Sequence, residues 1–391
     1  MTERLPLGPL LLAIALLLLG GCSSITNWIS PAEQEPPAEL KDIESRVSVD
    51  TLWSADIGSG SDDKSLGLVP KYLDGRLYVA DADGEVRALD ATNGRELWSV
   101  HLDAPLSGGP GAGEGLVVLG TTDAEVIALS QADGSPKWRS VVSSEVLSTP
   151  AVADGRVVVR TIDGKVEGLD VADGKSVWRY EREIPILTLR GTGSPVVSGD
   201  HVLCGMAGGK LVDLNIKDGA VLWDVTVSVP SGRSELERLA DIDGDPLVQA
   251  GIIFVATYQG EVAALEESSG SLLWRRKFSS YSGMAADRYN VYASDADGSL
   301  WALDSDNGSS RWRQEALHNR QLSDVALVSG TIAVGDFEGY VHFISPEDGS
   351  LIGRTRVGSK PITKGVLVAD GVLFVLGDGG DLEALKVKPL H

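Results

Sequence analysis

Residues 88–98 read Ala88-Leu89-Asp90-Ala91-Thr92-Asn93-Gly94-Arg95-Glu96-Leu97-Trp98, and the phrase returns with its last residue at Trp138, Trp178, Trp223, Trp274 and Trp312. A worn copy over 342–353 keeps Gly349 but has Gly353 where the others have tryptophan. Glu85-Val86-Arg87-Ala88-Leu89 alternates as a strand with one buried face does. Asp90 opens a tight connection, because its carboxylate can accept a hydrogen bond from the backbone two residues on. Gly94 takes the left-handed conformation such a turn requires. Two strands joined this way form an antiparallel hairpin, and Trp98 in the second is large enough to fill the space between neighbouring sheets. Self-similarity near forty residues marks small sheets that cannot bury their faces alone and must stack.

The two ends of the chain complete the pattern. Trp53, in Val49-Asp50-Thr51-Leu52-Trp53, is the tryptophan strand of a repeat with nothing upstream. Gly371-Val372-Leu373-Phe374-Val375 and Asp381-Leu382-Glu383-Ala384-Leu385 are strands of a repeat with no tryptophan strand downstream. Each end lacks what the other holds, so a ring closed by strands from both termini is expected, which removes exposed sheet edges. Positions 53, 98, 138, 178, 223, 274, 312 and 353 number eight. The fold expected is all-β, an eight-bladed propeller of four-stranded antiparallel blades over 46–391. Its repeat tryptophans Trp53, Trp98, Trp138, Trp178, Trp223, Trp274 and Trp312 are packing residues.

Composition agrees: 46 glycines suit a turn-rich β protein, and a net charge of −22 argues against nucleic acid, which needs a basic surface. Before the repeats, Arg4 precedes an apolar run from Leu5 to Leu19 that is too short to span a bilayer and ends in Gly20-Gly21-Cys22. Leu19-Gly20-Gly21-Cys22 resembles a bacterial lipobox, which makes 1–21 a signal peptide and Cys22 the lipid-bearing residue. Ser23 follows it, and the absence of aspartate there favours the outer membrane under the simplest sorting rule. Residues 22–45, with Pro31, Pro36, Pro37 and several glutamates, read as a tether. Cys204 lies in an apolar strand and reads as a small buried hydrophobe.

Unequal spacing locates the additions. Trp98, Trp138 and Trp178 stand 40 residues apart, but Trp178 to Trp223 is 45 and Trp223 to Trp274 is 51. Trp138 lies 12 residues before Pro150, Trp178 17 before Pro195 and Trp223 23 before Pro246, so the whole excess follows each tryptophan strand. Insertions in repeat arrays tend to share one face and mark binding. The first insertion, Ile184-Pro185-Ile186-Leu187-Thr188-Leu189-Arg190-Gly191, is apolar for a loop; the second runs from Ser231 to Asp243 and is charged. Arg190 is expected to pair with Asp241 or Asp243. Asp241-Ile242-Asp243-Gly244-Asp245 looks superficially like a calcium loop, but glycine falls at position four and Ile252 at position twelve, so no metal is assigned.

The repeat phrase resembles the propellers of quinone-dependent periplasmic dehydrogenases, which leaves a quinoprotein with calcium as the alternative reading. Adjacent cysteines are absent and the five histidines have no ligand spacing, so no catalytic residue and no cofactor are assigned. Leu187-Thr188-Leu189-Arg190-Gly191, Ser234 to Asp243, and Gly335-Asp336-Phe337-Glu338-Gly339-Tyr340-Val341-His342 resemble the BamB family, lipoprotein propellers of the outer-membrane β-barrel assembly machinery. That resemblance implies a non-enzymatic scaffold on the periplasmic face of the outer membrane. It implies that Leu187, Leu189, Arg190, Asp241 and Asp243 contact BamA through its POTRA domains. Unfolded outer-membrane proteins are a second implied partner.

Overall fold

Every regular element among the described residues is a strand, and the strands fall into eight sheets. The computed structural model describes residues 35–61, 66–191 and 193–390. Cys22 and the signal segment therefore lie outside the described residues. From Ala38 onward the chain forms one compact unit. Blades 1 to 7 take their four strands from 71–101, 106–141, 151–180, 196–226, 247–278, 285–314 and 326–356. Blade 8 combines three strands of 366–389 with the N-terminal strand Val47–Asp56, which pairs antiparallel with Asp381–Pro389. This is the eight-bladed propeller, closed from both ends, that the repeats predict. One strand was not anticipated: Gly67–Leu68 runs parallel to the inner strand of blade 2 and gives that sheet a fifth member.

The phrase builds each seam in the same way. Asp90 Oδ1 accepts the Thr92 N–H at 2.9 Å, and Gly94 has φ of 71°. A bulge just before the tryptophan position recurs in all eight blades, in blade 7 before Gly353, and increases the local twist of the outer strand; in blade 1 the register shifts between Ala88 and Leu89. Each repeat tryptophan then reaches into the next blade. Its indole N–H donates to a turn carbonyl there at 2.8–3.2 Å, Trp98 to Gln131 and Trp178 to Ile216 among them. Its ring lies against the turn glycine of that blade, where a Cβ on Gly134 would stand 2.7 Å from Trp98. The glycine thus serves twice, by permitting the turn and by leaving room for the ring.

Blade 7 departs from the rule for a reason the topology supplies. Its tryptophan would have to dock on a turn between the third and fourth strands of blade 8, and those strands belong to opposite ends of the chain. In its place Val47 enters the seam, and a Cβ on Gly353 would stand 2.5 Å from Val47 Cγ2. Cross-strand volumes are exchanged as well. Trp53, Trp98 and Trp274 face Ala384, Ala88 and Ala264, whereas Gly353 faces the fully buried Phe343.

Before Val47 the chain is fixed to the connection between blades 6 and 7 and to the outer strand of blade 7. The Ala38 N–H donates to the His318 carbonyl at 2.9 Å, Arg320 Nη1 donates to the Ala38 carbonyl at 3.0 Å, and Arg354 Nη2 to the Lys41 carbonyl at 3.1 Å. The spacer read from composition thus gives way to docked backbone at Ala38, seven residues earlier than its expected end at 45. Behind it, buried Arg320 binds Asp336 through Nε at 2.8 Å and pairs with Glu338, and His342 Nε2 lies 2.8 Å from the same Asp336 oxygen. The motif at 335–342 is a buried polar anchor for the incoming chain.

Candidate functional site

The first inserted loop joins Tyr180 to Val196 and the second joins Thr226 to Leu247, both between an outer strand and the next inner strand. They lie side by side, as expected, and their contact is made by backbone. Asp241 is only 3% exposed; its Oδ2 accepts the Leu189 N–H at 2.7 Å and its Oδ1 the Gly208 N–H at 2.9 Å. Burial raises its pKa, against the pull of those two N–H groups and of nearby Arg160. Asp245 Oδ1 accepts the Ser194 N–H at 2.6 Å. Carboxylates of the second loop therefore hold both ends of the stretch 189–194. Arg190 does not make the expected carboxylate bridge between the loops. Its guanidinium pairs with Glu145, on the connection between blades 2 and 3.

The outward surface is apolar. Ile186 is 97% exposed, and Ile184 and Leu187 are exposed beside it on the first loop. Val229 and Leu236 are exposed on the second, with Leu236 on a turn in which Ser234 Oγ accepts the Glu237 N–H and Glu237 accepts the Arg233 N–H. The two bonds close that turn on itself. Leu189 is half-buried and Arg190 exposed, so of the five sequence-predicted residues Leu187 and Arg190 reach furthest into solvent. Water-facing apolar side chains flanked by charge are the usual composition of a protein-binding surface. Sequence reading missed Ile186, Val229 and Leu236 as individual contributors. It also missed Arg160, at the end of the second strand of blade 3, Arg156–Arg160, whose only sequence signal is a charge closing a β-branched stretch.

Behind the loops lies the axial channel, with a cavity of about 730 Å³ lined largely by the inner strands of blades 1 to 4 and 8. Lys364 sits there with its Nζ 3.5 Å from the Asp243 carbonyl. Desolvation opposes its charge, but Asp324, Asp243 and Asp245 outweigh that and raise its pKa. Burial pushes the Asp324 carboxyl up to about 6 despite Lys364 and the N–H of Gly283. Among the described residues no group of three or more acidic, histidine or cysteine side chains is placed to hold a metal.

The family model described as outer membrane protein assembly factor BamB matches residues 82–314. The chain belongs to the BamB family. Outer membrane protein assembly factor BamB of Pseudomonas aeruginosa is 51% identical over 97% of this chain and 98% of its own length. The protein of the same name from Alkalilimnicola ehrlichii is 50% identical over 95% of each. Among solved structures, BamB from Moraxella catarrhalis superposes with a TM-score of 0.79 at 26% identity, covering 87% of this chain and all of that one. A quinohemoprotein alcohol dehydrogenase from Comamonas testosteroni reaches 0.68 at 13% identity over 86% of this chain and 76% of its own, a likeness of fold alone. BamB-family membership carries the reading of the chain as an assembly factor and not an enzyme.

Proposed function

We propose that this chain is the lipid-anchored propeller subunit of the outer-membrane β-barrel assembly complex, and that its two inserted loops dock on the POTRA domains of BamA. The observation that carries the docking is the joined pair of loops. They interrupt an otherwise regular array on one face, share hydrogen bonds, and present Ile184, Ile186, Leu187, Val229 and Leu236 to water beside Arg190 and Arg238. Lipid on Cys22 holds the protein at the periplasmic face of the outer membrane. Several acyl chains on one residue suffice for stable anchoring, since each buried CH₂ adds about 0.8 kcal/mol. Docked there, the propeller orients the BamA domains or holds incoming strands while β-barrels insert.

The test is co-purification. Combined replacement of Leu187, Leu189 and Arg190 by alanine should abolish BamA recovery while the melting temperature stays near that of the parent; retained recovery overturns the assignment. Cys22→Ala should release the protein from membranes into the periplasmic fraction.

A further inference from the structure

Resting on that docking reading, we infer that Arg160, Asp241 and Asp245 are positioning residues, a clamp that sets the first loop in its docking shape without touching the partner. Beside the Arg190–Glu145 pair and the Thr149 N–H that Ser194 Oγ accepts, three side chains grip the backbone of stretch 189–194 in alternating sense. At one end the Leu189 N–H is taken by Asp241; at the other the Ser194 N–H is taken by Asp245. Between them the Gly193 carbonyl accepts from Arg160 Nη1 at 3.0 Å. The guanidinium also supports the loop from below, for a Cβ on Gly191 would stand 2.7 Å from Arg160 Nη2. Arg160 and Asp241 are 8% and 3% exposed, so neither is available to a partner's side chain; Asp245 is exposed, but it lines the axial cavity behind the loops. Leu187 lies two residues before the clamped stretch and Arg190 within it, so the clamp fixes the backbone that carries them. Among the described residues of 189–194 the backbone bonds to itself only in a short turn, Gly191 N–H to the Leu189 carbonyl at 2.8 Å, so these contacts take the place of the ladder a strand would provide.

The arrangement makes a distinction that a merely structural role would not. Both oxygens of Asp241 accept N–H groups, so asparagine there turns an amide N–H₂ toward a donor and fails much as alanine does. Asp245 presents one oxygen to the Ser194 N–H, and asparagine can keep that acceptor. Binding of the purified periplasmic domains of the cognate BamA to the mature chain is to be measured by calorimetry, with amide exchange read at Leu189 and Ser194. Asp241→Asn, Asp245→Ala and Arg160→Ala are expected to speed exchange in the loop and weaken binding about tenfold or more, the size of one or two lost buried hydrogen bonds. Asp245→Asn stays within about threefold of the parent, and Arg160→Lys recovers part of the loss, because an ammonium reaches a carbonyl but does not support Gly191.

Equal losses for Asp245→Asn and Asp245→Ala, or faster loop exchange with unchanged affinity, would overturn the clamp. Should Asp241→Asn fail to fold, the two Asp245 variants and the two Arg160 variants carry the comparison alone. If Leu187→Ala also binds like the parent, the docking surface itself is wrong and the clamp falls with it; if Leu187→Ala loses binding while the clamp variants do not, only the clamp falls.

Discussion

Two neighbouring seams of the ring solve the same packing problem with different parts. Between blades 6 and 7, Trp312 donates to the Pro346 carbonyl at 2.9 Å and lies against Gly349. Between blades 7 and 8 no turn exists to receive an indole, and the seam is filled by Val47 with Phe343 across from Gly353. The tryptophan is therefore a device for joining a blade to a complete successor, not a general requirement of the outer strand. Where the successor is assembled from both ends of the chain, the entering strand does that work.

The largest effect should come from a regular seam. Trp178→Ala removes a buried ring and its hydrogen bond to Ile216, at a cost of about 3–5 kcal/mol in urea unfolding. A loss below about 1 kcal/mol would mean the seams are held elsewhere. Writing tryptophan into the exceptional seam is the sharper test. Gly353→Trp should destabilise by about 1–3 kcal/mol, because Val47 already occupies the site; any gain in stability would break the contrast. Val47→Ala should cost about 1–2 kcal/mol, less than loss of a repeat tryptophan, because fewer buried carbons are removed.

The smallest effect concerns the inner end of the 6–7 seam, where Asp324 Oδ1 accepts the Gly283 N–H at 2.5 Å. Because burial raises the Asp324 pKa to about 6 from an ordinary 3.8, the folded state binds its proton more tightly than the unfolded state does. The stability this group contributes is complete below about pH 4 and is lost as pH rises through about 6. Asp324→Asn keeps an acceptor for Gly283 and should flatten the fall in stability between about pH 4 and about pH 6. Parallel pH profiles for the two proteins would remove Asp324 from the account.

The blade count, the closing strands and the placement of both insertions were legible because they rest on periodicity and on glycine and tryptophan, whose roles here are local. The turn at Asp90 was legible for the same reason. The exchange of Phe343 with Gly353 was written in the chain but unreadable before the register paired those two positions. Arg190 was expected to bridge the loops, and the bridge is Leu189 N–H to Asp241. Spacing revealed that the loops are neighbours, but a backbone N–H leaves no trace in a sequence. Side-chain complementarity therefore suggested the wrong donor. Asp336 and His342 stood out as a motif, and their burial with Arg320 against the chain that enters at Ala38 became visible only in three dimensions.

Closure of blade 8 also orders events in time. Strand Val47–Asp56 is made first and its partner Asp381–Pro389 nearly last, so the first-made strand waits with an unsatisfied edge until almost the whole chain has been delivered. Joining ends more than 300 residues apart costs roughly 5 kcal/mol of loop entropy if nothing between has folded, and far less once seven blades have already curved the ends together. Folding of the ring is thus completed from the side that carries the docked N-terminal segment, and a chain shortened by residues 381–391 would keep seven blades yet have no way to shut.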